Sequence, residues 1–521
     1  MIYSLRILIL VGWAATIAAQ PTIQWQKTFG GSLYDEAQSI KQTPDGGYIV
    51  VGTTLSSDGD IFGHRGGNDL WALKLNSNGA IQWKKVIGGS NNEYVRCVQL
   101  TTDGGYIIAG YTASNNLDVS GNHGGYFDAW IVKLSSNGTM EWQKPLGGSG
   151  YDRFWSVQQA ADNGFIAVGR TDSQDGDVTE IKGKIDLWVV KLTEIGDIQW
   201  EKSFGGSQDD SAYGVQVTSD GGYIVVGETA SNDGDVTGLH GNVDFWVLKL
   251  DAEGNLEWQK TLGGENGDIG SSVLQTENGD YIVVGFVGSI NSGDVTSHDE
   301  MGLFDMWVVQ LSNNGELIWQ KTIGGTNPDY GREVVATNDG HFLVVGSTDS
   351  ENGDITSSNG LGDFWLVKIS NTGELMWQKT YGGTKADHGF AIDHTSDNGF
   401  IMAGYSWSND GDLGGSLNRG KNDFCVIKLS PESISSQNTP HTTETLQISP
   451  NPARQYANIE VPTQENSVFV TLSDLLGRVV LAQEMDNHST LNTAGLNPGV
   501  YFVTAKTDNG QVFRGKLEKT P

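Results

Sequence analysis

The sequence predicts an all-β chain: a seven-bladed β-propeller with four-stranded blades, followed by a small Ig-like β-sandwich. Three observations carry this reading. A Trp-centred phrase recurs seven times at near-constant spacing. Each interval holds four short β-patterned runs separated by Gly-rich turns. One such run stands alone before the first unit and is missing from the last.

Residues 1–19 read first as an export signal. Arg6 precedes an apolar run from Ile7, and small residues lead to Ala19, the expected cleavage point. No Cys lies nearby to take a lipid. No later run approaches the roughly 20 apolar residues of a membrane span.

Residues 20–430 carry the repeat. Its tryptophans are Trp25, Trp83, Trp142, Trp200, Trp258, Trp319 and Trp377, spaced 58 to 61 residues apart. In the first unit, Ala37–Thr43 alternates and turns at Asp45-Gly46-Gly47. Tyr48–Thr54 is an apolar run rich in β-branched residues. A polar loop leads to Leu70–Leu75, and Asn76–Gly79 turns into Ile81–Lys85. Asp-Gly and Asn-Gly turns between such runs signal hairpins. A lone blade exposes both faces and both edges, so the blades must pack in a ring. The last unit ends at its third strand, Asp423–Leu429, and Thr22–Lys27 is the spare fourth strand. That strand is expected to complete the seventh blade, as in WD-repeat propellers, which this closure resembles. An open solenoid would leave it unpaired.

Third strands repeat a second Trp: Trp71, Trp130, Trp188, Trp246, Trp307 and Trp365, with Cys425 at the seventh position. A Trp at a fixed place in every blade reads as interblade packing. The repeat frame puts Cys97 and Cys425 in separate blades, so two buried thiols are expected and no disulfide.

Residues 431–445 are rich in Ser, Asn and Thr and read as a linker. Residues 446–521 hold several short alternating strands, as in a β-sandwich. They include Ser449-Pro450-Asn451-Pro452-Ala453, Asp474-Leu475-Leu476-Gly477-Arg478, Leu496-Asn497-Pro498-Gly499-Val500-Tyr501 and Gly515-Lys516-Leu517. In that order, at the end of the chain, these resemble the type A sorting domain of the type IX (Por) secretion system. The resemblance implies that residues 446–521 address the type IX machinery. It also implies a secreted product, released or held at the outer-membrane surface. The blades resemble repeats common in secreted proteins of the same bacteria, which speaks to architecture alone.

Charge narrows the partners. Lys+Arg number 32 against 63 Asp+Glu, a net charge of −31. Nucleic acid and anionic membrane would be repelled. The chain is expected to be a monomer.

Two sets of residues are candidates for chemistry. The long loops repeat Asp58-Gly59-Asp60, Asp175-Gly176-Asp177, Asp233-Gly234-Asp235 and Asp410-Gly411-Asp412. Oxygen-rich loops suit calcium, the one cofactor considered, but Asp also caps turns. His64, His123, His240 and His298 recur beside an Asp that leads each third strand, and read as loop pins. A quinone cofactor is not expected. Leu250–Trp258 looks like quinoprotein repeats, but those run to eight blades and no adjacent cysteine pair is present.

The second set lies where the repeats disagree. One column near the start of the first strand reads Gln38, Arg96, Trp155, Tyr213, Ser271, Arg332, Phe390. Two residues earlier it reads Glu36, Tyr94, Arg153, Ser211, Ile269, Tyr330, His388. After the second-strand glycine it reads Thr53, Tyr111, Arg170, Glu228, Phe286, Ser347, Tyr405. First strands are innermost, so these columns are expected at the central mouth of the loop-rich face. The ligand-binding candidates are Tyr94, Arg96, Tyr111, Arg153, Trp155, Arg170, Tyr213, Tyr330, Arg332, His388, Phe390 and Tyr405. Trp407, which opens the last long loop, joins them. Aromatic and Arg side chains around a funnel suit a glycan or an anion. Neutral drift at exposed positions is the alternative reading of the same columns.

No catalytic motif stands out. The expected function is a non-enzymatic surface or secreted module binding a carbohydrate or protein. The alternatives are a secreted carbohydrate-active enzyme at the same mouth, and a structural adhesin or coat component.

Overall fold

The computed structural model describes residues 18–296, 302–414, 418–434, 446–461, 467–473, 479–486, 488–507 and 512–520. Residues 1–17 of the export signal, His298, most of the linker and the Asp474–Arg478 turn lie outside them. The chain divides into two compact units, Ala19–Ser433 and one built on Ile434–Pro521.

The first unit holds seven antiparallel four-stranded sheets. Blade 1 comprises Asp35–Gln42, Tyr48–Thr54, Asp69–Leu75 and Ile81–Ile87. Third strands are buried along their whole length, and second strands likewise except at Arg170, Glu228 and Tyr405, because both blade faces are covered. The first strand of each blade packs against that of the next, and blade 7 meets blade 1, so the ring closes. Ile23–Phe29 supplies the fourth strand of blade 7, pairing Ile23 with Leu429 and Phe29 with Phe424. Ser430 N donates to Thr22 O at 2.8 Å, and Tyr381 donates from its hydroxyl to Pro21 O at 2.9 Å. These bonds tie down the spare strand.

The six third-strand tryptophans are fully buried in the junctions between blades. Trp71 sits 4.6 Å from the Phe424 ring of blade 7. Cys425, smaller, shares its junction with the fully buried Tyr381. Cys97 and Cys425 are both buried free thiols. The fourth-strand tryptophans lie on the next blade's turn: Trp25 Nε1 donates to Ser77 O at 3.2 Å.

One irregularity recurs in every blade. The first strand carries a β-bulge near its start, as between Ala37 and Ser39, Phe154 and Ser156, or Gly331 and Glu333. The glycine opposite is required by this close approach. A Cβ on Gly346 would lie 1.7 Å from Tyr330 O.

The C-terminal unit is a two-sheet sandwich. Gln447–Ser449, Tyr456–Glu460 and His488–Asn492 form one sheet. Val479–Asp486, Ser467–Ser473, Gly499–Lys506 and Val512–Lys519 form the other. Ala453, Ile459, Val470, Val503 and Leu517 share its core. The Asn451 side chain donates to Lys516 O at 2.6 Å and accepts from Glu518 N at 2.8 Å, which pins the Pro-Asn-Pro segment to the final strand.

Candidate ligand-binding mouth

The bulges decide where the variable columns point. The residue skipped in each first-strand register is Gln38, Arg96, Trp155, Tyr213, Ser271, Arg332 or Phe390. A bulged residue is free of ladder pairing, and its side chain can be re-aimed. All seven form a ring across the propeller axis. They line a cavity of about 480 Å³ on one side and one of about 310 Å³ on the other. The first also takes Glu36, Ile269 and Phe286; the second takes Lys41, Cys97 and Glu333. Small-molecule sites span about 300–1,000 Å³.

The other two columns are direct cross-strand partners. Glu36 faces Thr53, Tyr94 faces Tyr111, Arg153 faces Arg170, and His388 faces Tyr405. They buttress the ring. The Arg332 guanidinium lies 4.9 Å from the Tyr330 ring centroid and 5.6 Å from that of Phe286. Arg170 lies 5.4 Å over Trp155, whose ring meets Tyr213 edge-on at 5.3 Å. Arg153 stands against Tyr111, Phe127 and Tyr151 at 4.9, 5.3 and 5.6 Å. His388 stacks on Tyr405 at 5.0 Å. Burial, reinforced by Arg332, lowers the imidazole to about 4, so it is neutral at physiological pH. Tyr213 donates to Glu228 at 2.6 Å, and burial raises that carboxyl.

Not every candidate reaches the axis. Tyr94 lines a side pocket of about 300 Å³ with Tyr34, Asn68 and Arg96. Trp407, 37 % exposed, lines neither axial cavity. Phe286, a member of the third variable column that was not among the ligand-binding candidates, lines the mouth, and sequence reasoning passed over Phe127 and Tyr151, which enclose Arg153. Phe127 belongs to a further variable column, just before the third-strand Asp, where the other blades have Asn68, Ile185, Val243, Phe304, Gly362 and Asn422. The same comparison of repeats finds it.

The acidic phrases latch the long loops. Asp58 accepts from Ser32 N at 2.7 Å, Asp175 from Ser149 N at 2.7 Å, Asp233 from Ser207 N at 2.7 Å, and Asp410 from Thr384 N at 2.8 Å. Asp60, Asp177 and Asp235 accept from Gly30, Gly147 and Gly205 N at 3.3, 3.1 and 3.1 Å. Asp412 accepts from Asn359 at 3.1 Å. His123 and His240 bond the strand-leading Asp128 and Asp244 at 2.8 and 2.9 Å, while His64 bonds Gly67 O at 2.8 Å. Among the described residues, no three or more His, Cys, Asp or Glu are arranged to hold a metal ion.

Each strand-leading Asp also meets the acid that starts, or in blade 3 just precedes, the next blade's first strand. A Cβ on Gly324 would touch both Asp305 and Asp329, at 2.6 and 2.8 Å. Burial, with this neighbour adding, raises Asp305 and Asp423 to about 7. Asp363 is raised to about 6 in the same way.

Comparisons with known proteins bear on the tail most directly. Residues 447–517 match the family described as the secretion system C-terminal sorting domain. The regulatory protein FlaEY of Caulobacter vibrioides is 27 % identical over 214 residues, which cover 38 % of this chain. The match spans only 21 % of that protein's length. Three solved structures are similar at low identity. A gluconolactonase of Xanthomonas campestris is 9 % identical, covers 63 % of this chain and 93 % of its own, and has a TM-score of 0.33. The PQQ-bound aldose sugar dehydrogenase of Streptomyces coelicolor is 9 % identical, at 80 % and 98 % coverage and 0.33. A puromycin hydrolase is 10 % identical, at 94 % and 60 % coverage and 0.43. Likenesses this weak carry no argument about activity. Among the described residues, no helix is long and apolar enough to cross a membrane. The chain is a β-propeller with a type IX secretion sorting domain at its C-terminus, a secreted protein of the extracellular space or the cell surface.

Proposed function

We propose that the propeller is a non-enzymatic binding module that presents its axial mouth to a carbohydrate ligand outside the cell. One observation carries this reading. Seven bulge residues, different in nearly every blade, converge on one cavity, while the surrounding frame repeats. Trp155, Tyr213, Phe286 and Phe390 offer ring faces to the apolar side of a sugar, and Gln38, Ser271 and arginines offer polar contacts. The test is a glycan array with the mature chain and a Trp155→Ala/Phe390→Ala variant. Binding that disappears in the variant at unchanged melting temperature supports the reading. Binding that persists, or never occurs, defeats it.

A carbohydrate-active enzyme at the same mouth is favoured by one feature. Glu228, half-buried, has its carboxyl raised by burial and accepts from the ring residue Tyr213, as suits an acid that hands on a proton. Release of reducing ends from a polysaccharide, lost in Glu228→Gln, would establish that reading.

A further inference from the structure

The arginines of the propeller divide into two groups. Six lie between residues 19 and 433: Arg65, Arg96, Arg153, Arg170, Arg332 and Arg419. Arg65 pairs with Asp118 at 3.2 Å, and Arg419 pairs with Asp60. Both belong to long loops. The other four belong to the variable columns, Arg96 and Arg332 lining the axial cavities and Arg153 and Arg170 standing behind the ring, and among the described residues none forms an ion pair within 4.0 Å. Arg96 donates only to the neutral Gln38 and Tyr111, each at 3.2 Å. Arg153, Arg170 and Arg332 lean on aromatic rings and have no hydrogen-bond acceptor among the described residues. All four Nε atoms are buried without a partner.

This arrangement is costly for a ligand-free protein. A buried donor left unpaired costs about 1–3 kcal/mol, more when charged. Arg153 and Arg170 sit directly opposite each other across two strands, where like charges repel. Arg332 and Arg153 also feel the charge of Arg96, and burial with this repulsion lowers both guanidiniums. With Asp and Glu so plentiful, a counter-ion was readily available. The nearby acids form their hydrogen bonds elsewhere: Glu36 accepts from Asn422 at 2.7 Å, and Glu228 accepts from Tyr213 and feels Arg170 only through space. The missing partner is therefore an anion that arrives from outside.

We propose that the mouth selects acidic glycans, with the guanidiniums of Arg96 and Arg332 receiving carboxylate or sulfate groups while the ring aromatics hold the sugar. This rests on the mouth being a carbohydrate site. Guanidinium forks match planar oxyanions in a bidentate way. The negative surface elsewhere repels the same ligand, so binding is confined to the axis.

The test is calorimetric titration with three tetrasaccharides, of galacturonic acid, sulfated galactose and neutral galactose, and with inorganic sulfate. An acidic tetrasaccharide is expected to bind at least about tenfold more tightly than the neutral one, and its affinity to fall with added salt. Arg332→Gln should remove most of that margin. Arg332→Lys keeps the charge and should restore part of the affinity without the fork. The salt dependence needs no variant, so it tests the idea even if Arg332→Gln misfolds. Equal binding of acidic and neutral sugars, lost together in Trp155→Ala, overturns the anion inference and leaves the carbohydrate mouth standing. Sulfate alone binding as tightly as the acidic tetrasaccharides overturns the sugar half. No binding by any of them overturns the mouth reading itself.

Discussion

The two rims of the ring are built on opposite rules. On the turn side, six blades repeat one device: a third-strand lysine, almost fully buried, reaches the Asp of the first turn. The pairs are Lys74–Asp45, Lys133–Asp103, Lys191–Asp162, Lys249–Asp220, Lys368–Asp339 and Lys428–Asp397, all at 2.7 to 2.9 Å. Blade 5 substitutes Gln310, which donates to Asp280 at 3.2 Å. On the mouth side the bulge residue shares its identity in only one pair of blades, Arg96 and Arg332. The difference teaches where a repeat can afford to vary. A side chain in the ladder and the junction is held by two neighbouring sheets. A bulged side chain faces only the axis, so changing it leaves the frame intact.

The sharpest break in that comparison comes from the frame. Deleting residues 20–29 removes the fourth strand of blade 7 and exposes an edge. Loss of the cooperative thermal transition, or association of chains, is expected in calorimetry and light scattering; a normal melt would refute the closure. Next in size is Trp246→Ala, fully buried in the junction of blades 3 and 4. It should cost about 3–5 kcal/mol, measured by denaturant unfolding. Lys191→Ala leaves a turn carboxylate without its cation and should cost less. Its gentler control is Lys191→Gln, which copies blade 5.

Protons separate the rims further. Asp305 and Asp423, at about 7, and Asp363, at about 6, keep their protons in the folded ring. The unfolded chain releases them near pH 4. Between those values the native state binds more protons, so stability falls as pH rises. The melting temperature should be higher at pH 5 than at pH 8. The turn side behaves in reverse at lower pH. Burial alone would raise Asp45, but hydrogen bonds from Thr43 and Lys74 outweigh it and bring the carboxyl to about 2. Its contribution is lost as pH falls from about 4 towards 2. A melting temperature flat from pH 5 to 8 would show that the junction acids hold no protons.

The smallest effects belong to the mouth. Arg170→Gln relieves repulsion with Arg153 and should leave the melting temperature unchanged or slightly higher. A fall of several degrees would make the arginine part of the frame. Millimolar calcium should also leave it unchanged, because Asp58, Asp175, Asp233 and Asp410 are each committed to a backbone N–H.

Much of this architecture was legible in one dimension. Seven tryptophan phrases count seven blades, and the run at Ile23 matches the gap after Leu429 because a sheet needs every strand paired. The tail was legible from local turns such as Leu496–Tyr501. The variable columns were also visible, since comparing repeats needs no coordinates. Which of those residues act together was not. Gln38 to Phe390 meet at the axis only because each sits on a bulge, and a bulge is a property of two strands in register. Trp407 and Arg332 looked equally exposed as letters, yet one lines the axis and the other does not. The absence of a counter-ion at Arg153 is likewise invisible along the chain, where acids abound. Periodic hydrophobicity and turn chemistry are local and set the order of strands. Pairing, convergence and unmet charge depend on distances between remote residues, and only the closed ring sets those.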